Sequence, residues 1–282
     1  MKIKLPEHRF DVSKEELAKL GEEFNSEAFP LLDKLYNTSF YILLNKKPTR
    51  KILHQIYFET IEYCNVTKSE SDWWSWIHRI WMREIHDFFS PKENDVNTKF
   101  DFIDFTKTDL NEVKYLFRND SSEFRLPEEE FINNLKRLPS VLRIPLIMKE
   151  IHSLNYEKIA ELIDVPDGVI ATRIFRARKL LFLFLRGNFD YEEQKSSGLP
   201  ENFTPIIFEY RKTALLIDNE LSDKKVQEFN ETSQKQNEYA TELLIQKEIK
   251  NLFKKLLPDL KAPKRLKSKI EKMAYKKFKK TK

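Results

Sequence analysis

Cysteine and glycine are scarce in this chain of 282 residues. The single cysteine, Cys64, excludes an internal disulfide framework and a cysteine-based zinc site, and it indicates a reducing compartment. Only four glycines are present, which disfavours β-rich and dinucleotide-binding proteins because tight turns and phosphate loops consume glycine. No apolar run approaches about 20 residues, and the N-terminus lacks an apolar signal segment. We therefore expect a cytoplasmic protein without membrane insertion.

Signatures of catalysis are missing as well. The five histidines show no metal-ligand spacing such as H-E-x-x-H. Neither a G-x-S-x-G motif nor a phosphate-binding loop occurs. The sequence therefore favours a protein that is not an enzyme, and we expect no metal and no cofactor.

Positive charge is abundant and unevenly distributed. The net charge is +5, and basic residues gather at 46–51, at 173–179 and at 261–282. Such clusters are typical of proteins that bind a polyanion such as DNA. A lysine-rich surface that is merely solvated, or a solvated C-terminal end, explains them as well.

Apolar residues recur at three- and four-residue steps along most of the chain, which is typical of amphipathic helices. Prolines and polar stretches interrupt the pattern. We predict an all-α protein of separate small helical domains joined by a linker. The predicted segments are an N-terminal leader at 1–20, a helical domain at 21–92, a linker at 93–127, a helix-turn-helix domain at 128–188 and a helical C-terminal domain at 200–282.

The most specific motif is LNYEKIAELIDVPDGVIATRIFRAR at 154–178. Asn155 can cap a first helix, and Asp167 can cap a second one after a turn at 164–166. Two helices crossed over so short a turn describe a helix-turn-helix unit, whose second helix enters the major groove of DNA. An ordinary helical hairpin with a charged outer face is the alternative. The residues predicted to face inward on the second helix are Val169, Ile170, Ile174 and Ala177.

Residues 135–181 resemble the fourth conserved region of extracytoplasmic-function (ECF) sigma factors. The shared features are a leucine-proline start, an aliphatic helix, a tyrosine-glutamate-x-isoleucine-alanine helix and a final arginine-alanine-arginine. The resemblance implies that the second helix binds the −35 promoter element, where arginine suits guanine or phosphate. One departure is Ala171, which stands where the family usually has a lysine. The predicted −35 contacts are Thr172, Arg173, Arg176, Arg178 and Lys179.

Residues 73–89, WWSWIHRIWMREIHDFF, resemble the second region of the same family. The resemblance implies that this helix and the loop before it hold the melted −10 strand, whose unpaired bases stack on aromatic rings. Trp76 and Trp81 have the spacing of core residues, whereas Trp73 and Trp74 suit packing and stacking equally. The predicted −10 contacts are Ser69, Asp72, Trp73, Trp74, Arg79 and Arg83.

The resemblance also places a polymerase-binding stretch before this helix, which is acidic in the family. Here the apolar positions remain, but lysine and arginine at 46–51 reverse the charge. Either other residues rebuild the polymerase contact, or the protein docks differently. The predicted polymerase contacts are Ile52, Leu53, Gln55 and Ile56.

The C-terminal residues resemble the zinc-type anti-sigma domain without its zinc-binding histidine and cysteines. The resemblance implies a fused, metal-free regulatory domain, although a generic helical tail remains the alternative. The residues that carry it are Leu216, Asp218, Glu220, Leu221, Ser222, Pro258 and Pro263.

These features together predict a sigma factor-like initiation factor that binds core RNA polymerase and promoter DNA. One alternative is a sigma-like adaptor that another protein restrains or delivers to its target. A second alternative is a helical protein-interaction scaffold without a role on DNA.

Overall fold

A computed structural model describes residues 13–64, 72–89, 127–187, 211–233 and 237–279. All regular elements in these residues are helical, which confirms the predicted all-α class. None of the helices in these ranges combines the length and the apolarity that crossing a membrane requires. The chain divides into two compact units, unit 1 with residues 1–92 and 259–282, and unit 2 with residues 93–258.

Unit 1 is built from five helices, and a π-helical turn follows the first of them. Ser13 caps this first helix with a capping box, because its side chain accepts from the Glu16 N–H while Glu16 accepts from the Ser13 N–H. The elements are α1 (Lys14–Glu23), the π turn (Phe24–Ala28), α2 (Leu31–Leu43), α3 (Lys46–Glu62), α4 (Trp73–Phe89) and, from the end of the chain, α12 (Lys264–Lys279).

Aromatic side chains of α4 form the centre of unit 1. Trp81 is fully buried, and its indole N–H donates to the Ser39 hydroxyl at 2.9 Å. Trp76 is also buried, so the prediction that these two tryptophans are core residues is confirmed. The hydroxyl of buried Tyr57 donates to the Ala28 carbonyl at 2.8 Å and thereby ties α3 to the π turn.

The last helix is anchored to α2 through two polar side chains. Asp33 accepts from the Ala262 N–H and from the Lys267 ammonium, both at 2.8 Å. Asn37 accepts from the Leu260 N–H at 3.0 Å. These bonds satisfy backbone donors around the start of α12 and place 259–279 in unit 1. The predicted C-terminal domain at 200–282 is thus divided between the two units.

Gly21 of α1 lies directly against Phe278 of α12. A methyl group at Gly21 would lie 2.9 Å from the Phe278 Cβ. We expect Gly21→Ala to lower the free energy of unfolding of unit 1 by about 1–3 kcal/mol, because overpacking forces a backbone shift. Urea denaturation, monitored by tryptophan fluorescence, measures this free energy for unit 1, because all four tryptophans lie in α4. The exposed neighbour Glu22→Ala is the control, and equal stability of the two variants would contradict the close packing.

Unit 2 packs four helices against a central apolar helix, α8 (Asp167–Leu185). Residues on all sides of α8 are buried from Ile174 to Leu185, as expected for a helix that is central in its domain. The Phe131 ring of α5 (Glu128–Arg137) lies edge-on to the Phe253 ring of α11 (Asn237–Leu256), with ring centroids 5.2 Å apart. The helices are α5 (Glu128–Arg137), α6 (Ser140–Glu150), α7 (Tyr156–Ile163), α8 (Asp167–Leu185), α9 (211–217), α10 (Asp223–Ser233) and α11 (Asn237–Leu256).

Candidate nucleic-acid interface

Helices α7 and α8 form the predicted helix-turn-helix. The Asn155 side chain caps α7 by accepting from the Lys158 N–H at 2.8 Å. Asp164 ends α7 in the left-handed conformation (φ 60°), which aspartate tolerates better than most residues. The N-cap of α8 is Pro166, and Asp167, which we predicted as the cap, is its first helical residue.

The accessible edge of α8 lies in its first two turns. Thr172 and Arg173 are half-buried, and the Thr172 hydroxyl donates to the Gly168 carbonyl at 2.9 Å. Val169 is 37% exposed, so the prediction that it faces inward is wrong. Ala171 is buried, which explains why this position holds a small residue instead of the lysine of the family. Thr172 and Arg173 are therefore the predicted −35 residues that this edge presents.

Arg178 lies inside unit 2, although we predicted a contact with DNA. Its side chain is fully buried, and its Nε donates to Glu150 Oε1 at 2.9 Å. Its terminal nitrogen donates to both carboxylate oxygens of Asp218, each at 2.9 Å. Burial acts to lower the pKa of the Arg178 guanidinium, but the two carboxylates outweigh it and raise the pKa. A contact of Arg178 with DNA therefore requires the separation of Asp218 from α8.

Asp218 is the centre of this buried network. The Lys250 ammonium donates to its Oδ1 at 2.7 Å, and the Tyr156 hydroxyl donates to its Oδ2. Burial acts to raise the pKa of the Asp218 carboxyl, but the Arg178 guanidinium outweighs it and holds the pKa below its usual value. Burial raises the pKa of Tyr156, so its hydroxyl remains a donor. The carboxylate thus joins α7 and α8 to α11.

Lys179 also lies inside unit 2, although we predicted a contact with DNA. It is fully buried, and its ammonium pairs with Glu242 of α11. Burial lowers the pKa of Lys179, and the Glu242 carboxylate offsets this only in part. Arg176 is also buried, at 9% exposure. Three of the five predicted −35 residues therefore point away from solvent.

Two further contacts connect 211–258 with the ends of the helix-turn-helix. Glu220 accepts from the Tyr156 N–H at 2.8 Å, a favourable place for an anion because this is the N-terminus of α7. The Arg211 guanidinium pairs with Asp167 at 3.1 Å, at the N-terminus of α8. It lies 3.1 Å from where a Cβ on Gly168 would be, so glycine makes room for this contact. Residues 211–258 thus hold both helices of the motif.

The predicted −10 residues in unit 1 divide into accessible and internal groups. Trp74 is half-buried and stacks on His78 with ring centroids 3.9 Å apart, and Arg79 is exposed. Trp73 is buried against Phe24, and Arg83 pairs with Glu59 and Glu84. Exposed Asp72 accepts from the Ser75 N–H at 2.7 Å, so it occupies the N-cap of α4. Ser69 lies outside the described residues.

The predicted polymerase residues lie on α3, and only one of them reaches the surface. Ile52, Leu53 and Ile56 are buried in the core of unit 1. Gln55 is exposed and donates to Glu59 Oε1 at 2.8 Å. Phe58, on the same face three residues later, is 42% exposed, and sequence periodicity gave no sign of this. The accessible face of α3 therefore presents Gln55 and Phe58.

Sequence analysis missed Glu150, Glu242 and Lys250, which complete the buried network. Their separations from their partners along the chain are 28 residues for Glu150, 63 for Glu242 and 32 for Lys250. Within one sequence, no local pattern marks pairs so far apart. Among the carboxylates of this network, only Asp218 and Glu220 were singled out from the sequence, as members of the C-terminal motif at 216–222. No cluster of three or more metal-ligating side chains occurs in the part of the chain that the structure describes.

Comparison with known proteins supports the assignment of the helix-turn-helix. Residues 128–181 match the family described as Sigma-70, region 4. The ECF RNA polymerase sigma-E factor of Haemophilus influenzae is 25% identical over 179 residues, which cover 57% of this chain and 88% of that protein. That of Escherichia coli K12 is 23% identical over 139 residues, covering 46% and 70% respectively. That of Salmonella typhimurium LT2 is 40% identical over 47 residues, covering 17% and 25%.

Proposed function

We infer that this chain, an ECF sigma factor with a sigma-70 region 4 helix-turn-helix at 128–181, binds core RNA polymerase and promoter DNA. The similarity is to transcription initiation factors, which are not enzymes, as the sequence predicted. The observation that carries this conclusion is the coincidence of the region 4 match with helices α5 to α8, whose second motif helix presents Thr172 and Arg173.

On the −35 element, we assign base and phosphate contacts to the accessible edge of α8. Arg173 offers the planar fork that reads guanine, and Thr172 offers a hydroxyl beside it. Arg178 and Lys179 join them only when 211–258 separates from α8, because Asp218 and Glu242 of that segment bind them in the docked arrangement.

We assign the contacts with the −10 element and with polymerase to accessible residues of unit 1. Trp74 and Arg79 supply a stacking surface and a cation for single-stranded DNA. The exposed face of α3 around Gln55 and Phe58 supplies the polymerase contact, in which Phe58 acts as an apolar anchor. The buried side chains of Ile52, Leu53 and Ile56 pack this helix into the core of unit 1.

We assign to 211–258 the role of a built-in restraint on the recognition helix. Its carboxylates neutralise two cations of the recognition helix, Arg178 and Lys179. Buried ion pairs contribute little net stability, because desolvation offsets their attraction. Charged groups that separate regain hydration or other polar partners, so an ionic contact suits a domain that docks and undocks better than an apolar one.

Retention of core RNA polymerase on the immobilised full-length protein tests the proposed function. We expect retention, and selection of one −35 sequence from random duplexes by the resulting complex. Arg173→Ala should weaken binding of the selected sequence by about 5- to 150-fold, the effect of about 1–3 kcal/mol from one bidentate contact. Polymerase retention should remain unchanged. Failure to retain polymerase, or full promoter binding by Arg173→Ala, would contradict the proposal.

A sigma-like adaptor that another protein delivers is the second candidate, and two observations favour it. Few of the predicted −35 residues are accessible, and exposed lysines at 46–51 replace the acidic stretch of the family. Selection of a promoter sequence by the polymerase complex without any other protein would exclude this candidate. Polymerase retention without sequence selection would support it.

A further inference from the structure

A row of five lysine and arginine side chains runs along the outer face of α12. They follow one another at four- and three-residue steps, the spacing that places side chains on one face of a helix. The opposite face of α12 is apolar and buried in unit 1, through Leu266, Ile270, Ala274 and Phe278. All five basic side chains are exposed, and we call them the basic row: Arg265, Lys269, Lys272, Lys276 and Lys279.

Helix α3 extends the same positive surface. Lys277 near the end of α12 pairs with Glu62 at the end of α3 at 3.3 Å. Burial, and after it the nearby charge of Lys269, lowers the pKa of His54. The two pairs have the same offset along the chain, as in parallel helices whose basic N-terminal ends lie together. The exposed cations of α3 at that end are Lys46, Lys47, Arg50 and Lys51.

Among the described residues, the ion pairs of α12 join Lys267 to Asp33 and Lys277 to Glu62, and none of them involves the basic row. On α12 itself, Glu271 is the single acidic residue among its 16 residues. The only exposed aromatic side chain on α12 is Tyr275, whose ring lies 5.3 Å from the Lys279 ammonium. Protein–protein interfaces usually bury an apolar core inside a polar rim. A face of five cations with a single exposed aromatic ring, that of Tyr275, suits a polyanion with regularly repeated charges.

We propose that the basic row and the adjoining end of α3 bind the phosphate backbone of duplex DNA without sequence preference. The row spans about 21 Å along the helix, which is long enough to contact several successive phosphates. It supplies cations that the recognition helix lacks, because Arg178 and Lys179 are bound to carboxylates within unit 2. The proposal rests on the proposed function only in naming DNA as the polyanion.

Neutralisation of four lysines of the row tests the proposal on the full-length protein. The variant Lys269→Gln, Lys272→Gln, Lys276→Gln and Lys279→Gln keeps helix propensity nearly constant. A matched variant with the same loss of charge changes four exposed lysines of unit 2: Lys224→Gln, Lys225→Gln, Lys247→Gln and Lys254→Gln. Fluorescence anisotropy measures the affinity of each for a duplex without promoter sequence, from about 50 to 200 mM salt.

We expect the row variant to bind at least about tenfold more weakly at low salt, with a logarithmic salt slope smaller by about 2–4. The matched variant should stay within about twofold of the wild type. Equal losses in both variants, or no loss in the row variant, would overturn the proposal. Loss of core polymerase retention with unchanged DNA binding would also overturn it, because the face would then contact an acidic protein. Normal polymerase retention by the row variant, together with weaker duplex binding, would support it and leave the proposed function intact.

Discussion

Replacement of Arg178 by methionine is expected to lower the free energy of unfolding of unit 2 by about 3–5 kcal/mol. The guanidinium makes hydrogen bonds to Glu150 and Asp218, and all three side chains are almost entirely buried. Methionine fills much of the same volume but lacks the positive charge. The buried carboxylates of Glu150 and Asp218 then lose the guanidinium that compensates them. The Lys250 ammonium, which is 22% exposed, still reaches Asp218 but not Glu150 among the described contacts.

The distribution of tryptophan allows this effect to be assigned to one unit. All four tryptophans lie in α4 of unit 1, so tryptophan fluorescence reports the unfolding of unit 1. Far-ultraviolet circular dichroism reports the helices of both units. We expect Arg178→Met to move the circular dichroism transition to lower urea concentration while the fluorescence transition stays in place.

Arg265→Met is the matched control, because it removes an arginine from an exposed position in unit 1. Exposed substitutions of this kind usually change stability by no more than about 0.5 kcal/mol. If Arg178→Met were as stable as this control, the buried network would not hold unit 2 together. Equal shifts of both spectroscopic transitions would show that the two units unfold together.

The helix-turn-helix was predictable from the sequence because its determinants are local. Asn155 caps α7, Asp164 takes the left-handed conformation, and apolar residues repeat at helical steps, all within about 25 residues of sequence. The match of residues 128–181 to Sigma-70, region 4 agrees with the helix-turn-helix predicted from these local features. Core positions such as Trp81 were predictable for the same reason.

The burial of Arg178 and its pairing with Asp218 could not be predicted from such local features. An arginine on the outer face of a recognition helix suits DNA and suits a carboxylate equally, and the choice depends on what else packs there. Here the partner is Asp218, which is 40 residues further along the chain. The packing of α12 in unit 1 could not be predicted for the same reason. Asn37 and the Leu260 N–H, which help to anchor it, are separated by 223 residues.

Release of 211–258 from α8 should strengthen DNA binding, and Asp218→Asn is the variant that tests this. The amide keeps the shape of the side chain but loses the charge that pairs with Arg178 and Lys250. We expect the affinity for the selected promoter to rise by about tenfold or more, within the usual range of coupling between two states. Arg178 then keeps only its hydrogen bonds to Glu150 of α6, which a DNA phosphate can replace.

Acidification reproduces this change only at low pH, because the pKa of Asp218 lies below its usual value. The contribution of the carboxylate to docking is fully present above the ordinary aspartate pKa of about 4. It is lost as the pH falls through the lowered pKa of the folded protein. The contribution of Asp218 to docking is therefore insensitive to pH near neutrality.

Two controls separate release from simple loss of charge. Asp223→Asn removes one exposed carboxylate from the same segment and should leave promoter affinity within about twofold. Asp218→Asn combined with Arg178→Ala should lose the gain, because the released arginine is absent. Hydrogen exchange should show faster exchange in α11 of Asp218→Asn. Promoter affinity that stays at the wild-type level despite this faster exchange would mean that 211–258 stabilises unit 2 without restraining it.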